Sequence, residues 1–225
     1  SRTLTVTPAA NASGTANITV TVTDGGGLTA MRTFALTVTS VNDLPTIADI
    51  SDVTTNEDTA TAALNVTLAD TETAAASLTV AASSSNTTLI PNNGANLTFA
   101  GSGANRTLTV TPATNQSGTS TITVTVTDGD GGTASDSFVV TVNSVNDAPT
   151  IAAITAKSTN EDTATAAIAV TVSDVETALG SLTVSATSSN TTLVPDVNIT
   201  HGGVLGDRTI TISPAANLNG TSDIT

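Results

Sequence analysis

The sequence predicts an all-β protein, built as a tandem array of antiparallel sandwiches, on three observations. Threonine, a β-branched residue that suits a pleated surface, occupies almost every polar strand position. Apolar and polar residues alternate with period two in short segments bounded by Gly, Pro, Asn or Asp, and helical periodicity is absent. The whole pattern also returns along the chain at a fixed spacing, which indicates a repeated domain.

The repeat has a period of 104 residues. VNDLPT starts at Val41 and VNDAPT at Val145, and NEDTAT starts at Asn56 and again at Asn160. RTLTVTP at Arg106 recurs 102 residues later as RTITISP, so small loop deletions account for the remaining difference. One unit is therefore used repeatedly.

One repeat contains about seven predicted strands, which we label A to G. In chain order they are IADI with DVTT, TATAALNVTLAD, SLTVAASS, TTLIP, ANLTFAG, RTLTVTP followed by STITVTVTD, and SDSFVVTVNS. Because aromatic residues make up 1% of the chain while 38% of it is hydrophobic, the core is expected to be aliphatic and thin. Seven short alternating strands in about 100 residues match an immunoglobulin-like sandwich.

This strand order divides the chain into three parts. Residues 1–43 hold strands E to G of one repeat, residues 44–147 form a complete repeat, and residues 148–225 hold strands A to E and the start of F of a third. Such cuts are expected of an excerpt from a longer tandem chain. The alternative is that the two partial sandwiches complete one another between molecules by strand donation.

Charge and cysteine content exclude several classes of partner. The net charge is −14 with only 5 Lys and Arg, so nucleic acid and anionic membranes are repelled, whereas divalent cations are attracted. The absence of Cys excludes disulfides, thiolate metal sites and cysteine nucleophiles. No apolar run reaches the length of a membrane helix, and the first residues lack signal-peptide features. Any export or anchoring signal is therefore expected outside this segment.

Strand direction predicts where the acidic residues meet. Because consecutive strands run in opposite directions, the loop after strand B, the tip after strand F and the linker that enters strand A share one end of the sandwich. The first junction is expected to gather Asn42, Asp43, Asp70, Glu72, Asp128 and Asp130. The second is expected to gather Glu57, Asn143, Asn146, Asp147, Asp174 and Glu176. Carboxylates this close repel one another unless a hard cation lies among them, and oxygen-only ligands favour Ca²⁺.

Four motifs of this pattern resemble the calcium-binding pattern of cadherins: NE at the end of strand A, D-x-E after strand B, TDG after strand F and VND-x-P at the exit. They are still more similar to the cadherin-like and immunoglobulin-like tandem repeats of large bacterial cell-surface adhesins. The resemblance implies an extended rod of sandwiches, stiffened by Ca²⁺ at each linker, that holds an adhesive tip away from the cell. It also implies an extracellular, cell-surface location.

Two departures from the cadherin pattern reduce the number of ions expected at each junction. The linker VNDAP lacks the further Asn of the cadherin linker, and the turn between strands E and F carries Asn115 instead of an acidic triplet. The repeats also differ among themselves, since Gly26 stands where the next repeat has Asp130. We therefore expect fewer ions per junction than in a cadherin.

Other interpretations of single motifs carry less weight. TITVTVTDGDGG combines the alternating threonines of a flat binding array with the acidic tip of a β-roll turn. A sandwich twists, however, and the DGDGG tip does not recur at the short period of a β-roll, so we interpret the threonines as the outer face of strand F. His201 lies in a loop, and Ser, His and Asp form no catalytic triad in the sequence. The chain is not expected to be an enzyme.

The function expected is that of structural stalk repeats of a secreted cell-surface adhesin or extracellular filament, in contact with neighbouring repeats of the same chain. One alternative is a sandwich whose loops bind a glycan or a protein. Another is a subunit that associates with identical chains in a sheath, surface layer or fibre, laterally or by strand complementation. Sequons such as Asn65-Val-Thr are frequent, but many arise by chance in a chain this rich in Asn and Thr, so glycans on the repeats stay an open alternative.

Overall fold

The computed structural model describes residues 2–225 and confirms an all-β fold. The strands are β1 (Gly14–Thr23), β2 (Thr29–Val38), β3 (Thr46–Ile47), β4 (Val53–Asn56), β5 (Leu64–Ala69), β6 (Thr79–Ser84), β7 (Leu97–Ser102), β8 (Asn105–Val110), β9 (Gly118–Thr127), β10 (Thr133–Asn143), β11 (Thr150–Ile151), β12 (Ile168–Ser173), β13 (Ile199–Val204) and β14 (Asp207–Ile212). The helical element of these residues is a 3-10 turn at Asp196–Asn198, and no helix among them is long and apolar enough to cross a membrane. One compact unit ends at Ser144, and a second comprises Val145–Thr225.

The first unit contains a two-sheet sandwich. One sheet has the strand order β3-β5-β8-β7 and the other the order β4-β10-β9-β6. Their inner faces share one core, in which Val66, Leu108, Ile122 and Val140 are fully buried. The sandwich therefore buries the apolar positions of the period-two pattern, and almost all of the buried side chains are aliphatic.

The threonine ladder lies on β9. Val124 and Val126 point into the core and are completely buried, whereas Thr123 and Thr125 lie on the other face of the strand. Thr123 Oγ1 hydrogen-bonds Ser137 Oγ of β10 at 2.9 Å. The ladder is thus the outer face of a sandwich strand, as the alternation predicts.

Two predicted strands differ from the structure. TTLIP is a turn, in which Asn86 O accepts the N–H of Ile90 at 2.9 Å and Asn86 Oδ1 accepts that of Leu89 at 3.2 Å. The strand prediction was wrong because Leu89 and Ile90 reach the shared core from a turn, without strand pairing. TATAALNVTLAD is a strand only over Leu64–Ala69, a segment that β8 and β3 pair with.

Predicted strand A is divided between the two sheets. β3 pairs antiparallel with β5, whereas β4 pairs in parallel with β10, and Val53 lies opposite Val140. Residues 48–52 carry the chain from one sheet to the other without strand structure. The β4–β10 pair is the one parallel pair among residues 2–225, so the sandwich is antiparallel elsewhere.

β1 and β2 form a hairpin, paired from Gly14 with Val38 to Thr23 with Thr29. Residues 2–8, which carry the first RTLTVTP motif and were predicted as a strand, are not a strand. The same motif becomes β8 in the sandwich because β5 and β7 pair with it on both sides. An identical local sequence therefore forms a strand only where partners are present.

The second unit has one four-stranded sheet, in the order β11-β12-β14-β13. Its core is formed by Ile168, Val170, Val172, Leu193, Val194, Ile199 and Ile210. The segment SLTVSATSS, equivalent to β6, is reduced to an isolated bridge between Ser188 and Ile224. The repeat boundaries after residues 43 and 147 stay predictions.

Arg106 of β8 holds backbone carbonyls on the edge of the core. Its Nη2 donates to Leu78 O at 2.6 Å and to Ala75 O at 3.1 Å, and its Nε donates to Gly103 O at 3.2 Å. Arg208 makes the same three kinds of contact in the second unit. This arginine is therefore a structural element of the repeat.

We expect Arg106→Lys to lower the free energy of unfolding of the first unit by about 1 kcal/mol, because one ammonium cannot span the three carbonyls that the guanidinium reaches. Urea unfolding followed by circular dichroism measures this loss. Arg32→Lys is the control, since Arg32 is exposed and donates to the adjacent Met31 O. Equal losses in the two variants would contradict the role assigned to Arg106.

Candidate metal centre

Three segments of the first unit meet at one end of the sandwich. They are the linker before β3, the loop after β5 and the turn after β9. We call the side chains that they contribute the junction cluster; its members are Asn42, Asp43, Asp70, Glu72 and Asp128. Every member was expected at the first junction from strand direction.

Asp128 forms the inner part of the junction cluster and is 7% exposed. Its Oδ1 accepts the N–H groups of Asp130 at 2.9 Å and Gly132 at 2.7 Å, and its Oδ2 accepts Nδ2 of Asn42 at 2.9 Å. The hydrogen bond from Asn42 lowers the pKa of Asp128 most, desolvation opposes it, and the backbone N–H donors lower the pKa further. The carboxylate is therefore held ionised, with one oxygen directed to the linker.

The acid dependence of stability follows from this shift. Because the pKa of Asp128 is lowered from its ordinary value of 3.8, the carboxylate stabilises the fold above about pH 3.8, and this contribution is lost as the pH falls through the lowered pKa. We expect the urea midpoint of the first unit to fall in that acid range, and to fall less steeply in Asp128→Asn. Unfolding curves recorded from about pH 2 to about pH 6 measure both slopes. Identical slopes would contradict the assignment.

The loop after β5 is shaped by Asp70. Its Oδ1 accepts the N–H of Glu72 at 3.0 Å and that of Thr73 at 2.5 Å, which closes a tight turn. This turn directs Glu72 to the linker, where its Oε2 accepts the N–H of Asp43 at 3.0 Å. Thr73 Oγ1 accepts the N–H of Gly129 at 3.3 Å and so connects the loop to the turn after β9.

Asp70 Oδ2 is the feature of the cluster that fits a cation. Among residues 2–225 it is the one buried side-chain oxygen or nitrogen without a hydrogen-bond partner. A buried carboxylate oxygen without a partner loses hydration and gains nothing in return, unless a water or an ion contacts it. The other members of the junction cluster carry carboxylate and amide oxygens, which are the ligands that Ca²⁺ prefers.

The second unit repeats this local structure. Asp174 Oδ1 accepts the N–H of Glu176 at 3.1 Å and that of Thr177 at 2.5 Å, and Glu176 Oε2 accepts the N–H of Asp147 at 2.9 Å. The hydrogen bond from the Thr177 N–H is the largest cause that lowers the pKa of Asp174, with desolvation opposing it. Asn146 Nδ2 donates to Asp147 O at 2.9 Å. The linker therefore contacts the D-x-E-T loop in both units.

Of the other predicted residues, Glu57 and Asn143 were expected at the second junction and Asp130 at the first. Glu57 is 5% exposed and its N–H donates to Asn143 O at 2.9 Å, while Asn143 Nδ2 reaches Asn56 Oδ1 at 3.4 Å, at the opposite end of β10 from the junction cluster. The side chain of Asp130 is exposed, and its backbone N–H is what contacts Asp128. Within residues 2–225, no three Asp, Glu or His side chains are already gathered as in a preformed metal centre.

Thr73 and Thr177 were not identified from the sequence. Both donate a backbone N–H to the first Asp of their loop. Thr73 in addition bonds the turn after β9. The signal was available, because D-x-E-T recurs at the repeat period while the residue at the x position changes from Thr71 to Val175.

Comparison with solved structures returns immunoglobulin-like and cadherin domains. The titin domains Z1Z2 in complex with telethonin are 13% identical, with a TM-score of 0.35, over 78% of this chain and 84% of that one. Protocadherin gamma B2 extracellular cadherin domains 1–5 are 13% identical, with a TM-score of 0.42, over 90% and 38%. Domains 4 and 5 of the S-layer protein SbsC are 21% identical, with a TM-score of 0.31, over 58% and 66%.

Family membership rests on the sequence profile. The search among curated proteins found no match. The profile of the family described as bacterial Ig domain matches residues 1–38 and 42–143, which is more than half of the chain. Its two matched segments correspond to the part with the hairpin and to the part with the complete sandwich. The chain therefore belongs to the bacterial Ig domain family.

Proposed function

We propose that this chain is a segment of the stalk of a secreted, cell-surface adhesin or filament, and that Ca²⁺ at the junctions stiffens it. The observation that carries the calcium part is Asp70 Oδ2, a buried carboxylate oxygen without a hydrogen-bond partner. Its loop also contacts, through Thr73, the turn that holds the ionised Asp128. Bacterial Ig domains serve as structural modules, and repetition of one such unit makes a spacer. Membership of the bacterial Ig domain family supports an extracellular location, whereas the absence of Cys fits either side of the membrane.

The residues that would hold the ion come from separate segments of the chain. Asp70 and Glu72 belong to the loop after β5, Asp128 to the turn after β9, and Asn42 and Asp43 to the linker. A bound divalent cation would offset the repulsion among these carboxylates. Because the linker already contacts both loops through Asn42 and the Asp43 N–H, an ion shared with them would restrict how the linker moves.

A Ca²⁺ ion bound at the junction would make the linker stiffer. The linker is held by one exposed hydrogen bond, from the Asp43 N–H to Glu72, and one partly buried bond, from Asn42 to Asp128. So few bonds can open in water without unfolding the sandwich. Extracellular modules typically bind Ca²⁺ with a Kd of about 10⁻⁴ to 10⁻³ M, so occupancy would follow the calcium concentration of the external medium. The spacer is then stiff outside the cell and more flexible where calcium is scarce.

Calorimetric titration of the full chain with CaCl₂ tests the calcium proposal. We expect binding in the stated range, and at ten times the Kd a gain of about 1.4 kcal/mol in the free energy of unfolding of the first unit. Asp70→Asn is expected to weaken this binding at least about tenfold, because an amide replaces the buried anionic oxygen. Amide NMR shifts of Asp43 and Thr73 on calcium addition would place the ion.

Asp196→Asn is the matched control. Asp196 Oδ1 accepts the N–H of Ser188 at 2.8 Å, and the first sandwich has Asn92 in the equivalent contact with Ser84 N at 2.7 Å. The substitution therefore changes one charge at a position where the other repeat already tolerates the amide. Absence of calcium binding in the native chain would overturn the calcium proposal, and equal binding by Asp70→Asn would overturn the assigned site.

A further inference from the structure

We propose that Gly132 determines whether a linker docks on the end of a repeat, and that a larger residue at this position leaves the linker free. Gly132 and Asp128, both in the turn after β9, form a surface that we call the linker seat; Asn42 and Leu44 of the linker lie against it. The proposal rests on the proposed function only in that a surface spacer needs stiff junctions. The seat itself consists of a hydrogen bond and packing, so it forms with or without a bound ion.

The linker approaches Gly132 closely because this residue has no side chain. A methyl group on residue 132 would lie 3.0 Å from Leu44 Cδ2 and 3.1 Å from Asn42 Nδ2, and it would overlap Asp128 Oδ2. Non-bonded carbon atoms pack favourably at about 3.5–4.0 Å, so these atoms would have to move. Asp128 Oδ2 is the oxygen that accepts Asn42 Nδ2, so one methyl group displaces both partners of this bond. Leu44 stays 65% exposed, which makes the bond from Asn42 the main contact of the seat.

The backbone of the turn does not itself require glycine at residue 132. The residue with a left-handed backbone is the preceding Gly131, at φ +92°, and Gly132 is not among the residues with positive φ. An L-residue is therefore compatible with the backbone at this position. What excludes a side chain here is the linker that lies against it.

The first repeat has the same turn with leucine at this position. Leu28 stands 104 residues before Gly132, and Asp24 Oδ1 accepts the N–H groups of Gly26 and Leu28, both at 2.9 Å, which is the pattern of the turn after β9. Gly27 has a φ of +89°, close to that of its counterpart in the later turn. The side chain of Leu28 is 77% exposed. Leucine is thus accommodated by the turn, and it projects from the position against which the linker lies in the complete sandwich.

Two kinds of junction follow from this one position of the repeat. Where glycine stands, the linker Asn reaches the Asp of the turn, as Asn42 reaches Asp128. The next linker keeps the same amide as Asn146. Where leucine stands, as at Leu28, the turn keeps its own hydrogen bonds but offers the linker no seat. The residue at this position therefore sets the pattern of stiff and flexible junctions along the spacer.

The test measures the order of the linker in the full chain by ¹⁵N relaxation, in buffer with a calcium chelator. In Gly132→Leu the backbone order parameters of residues 42–44 are expected to fall by at least about 0.2, toward the values below about 0.6 of a flexible segment. The urea midpoint of the first unit is expected to stay within about 0.5 M of the native value, because the turn at Leu28 already accommodates leucine.

Gly129→Ala is the matched control in the same turn. A methyl group on residue 129 would lie 3.7 Å from Thr73 Oγ1, an ordinary contact distance, and Gly129 is also not among the residues with positive φ. Its linker is expected to keep native order parameters. Unchanged linker order in Gly132→Leu, or an equal loss of order in Gly129→Ala, would overturn the proposal.

Gly132→Ala keeps the test decisive if the leucine variant is less stable than expected. Its single methyl group is enough to displace the bond between Asn42 and Asp128, so linker order is again expected to fall at an unchanged urea midpoint. Loss of linker order only in step with the midpoint would assign Gly132 to the stability of the fold and overturn the proposal.

Calcium titration of the native chain separates this proposal from the proposed function. Because the relaxation experiment contains chelator, its result does not depend on calcium binding. A native chain that binds no calcium, with linker order lost in Gly132→Leu, would overturn the calcium proposal and support the seat. A native chain that binds calcium, with linker order kept in Gly132→Leu, would do the reverse.

Discussion

Phe138→Ala is expected to lower the free energy of unfolding of the first unit by about 3–5 kcal/mol, the largest effect of any single truncation in this chain. Phe138 is the largest fully buried side chain, 1% exposed, in a core that is otherwise aliphatic. Its removal leaves a cavity that Val and Leu neighbours, fixed on strands, fill incompletely. Since small domains have about 5–15 kcal/mol of stability, this loss is a large part of the total.

The chain supplies its own control for this substitution. Phe34 stands 104 residues earlier in the equivalent position of the β1–β2 hairpin, but it is 46% exposed. Phe34→Ala is therefore expected to change stability by less than about 1 kcal/mol. Urea unfolding of both variants, followed by circular dichroism because the chain lacks Trp and Tyr, gives the two values. Comparable losses at both positions would show that burial does not govern the effect.

Thr61→Val is expected to destabilise the first unit by about 2 kcal/mol although it preserves the shape of the side chain. Thr61 is 7% exposed, and its Oγ1 accepts the N–H of Val110 at 3.0 Å. Valine removes this acceptor and leaves the backbone N–H of a completely buried residue without a partner. Thr165 makes the equivalent bond to Ile212 N at 3.1 Å in the second unit.

Thr61→Ser distinguishes the contribution of the hydroxyl group to stability from that of the methyl group. The serine keeps the acceptor, so most of the stability lost in Thr61→Val is expected to return. The free energy of unfolding of both variants, from the same urea experiment, decides between the two contributions. A serine variant as unstable as the valine variant would assign the effect to packing.

The sequence predicted which face of a strand is buried, but not which strands pair with one another. Alternation of threonine with valine and isoleucine predicts which face of β9 is buried, because side chains on a strand point to opposite sides in turn. It does not predict which segments pair. RTLTVTP is β8 near Arg106 and not a strand at residues 2–8, since hydrogen-bond partners decide whether an extended segment becomes part of a sheet.

For the candidate site, the sequence predicted where the acidic residues lie but not what each of them does. Antiparallel strand order was enough to bring Asp70, Glu72 and Asp128 to one end of the sandwich. Their separate roles were not predictable, because they depend on distances of a few tenths of an ångström. Asp128 is surrounded by N–H donors, whereas Asp70 keeps one buried oxygen without a partner.

From the sequence alone follow the all-β class, the repeat of 104 residues, the aliphatic core and the convergence of acids at the junction. These properties depend on local residue patterns and on strand direction, both of which can be read from the amino-acid sequence. The parallel pairing of β4 with β10, the turn at TTLIP and the burial of Thr61 are decided only by the packed fold. The parallel pairing and the burial of Thr61 arise from contacts between residues far apart in the chain. The turn at TTLIP buries apolar side chains without being a strand. None of these features produces a periodic pattern in the sequence.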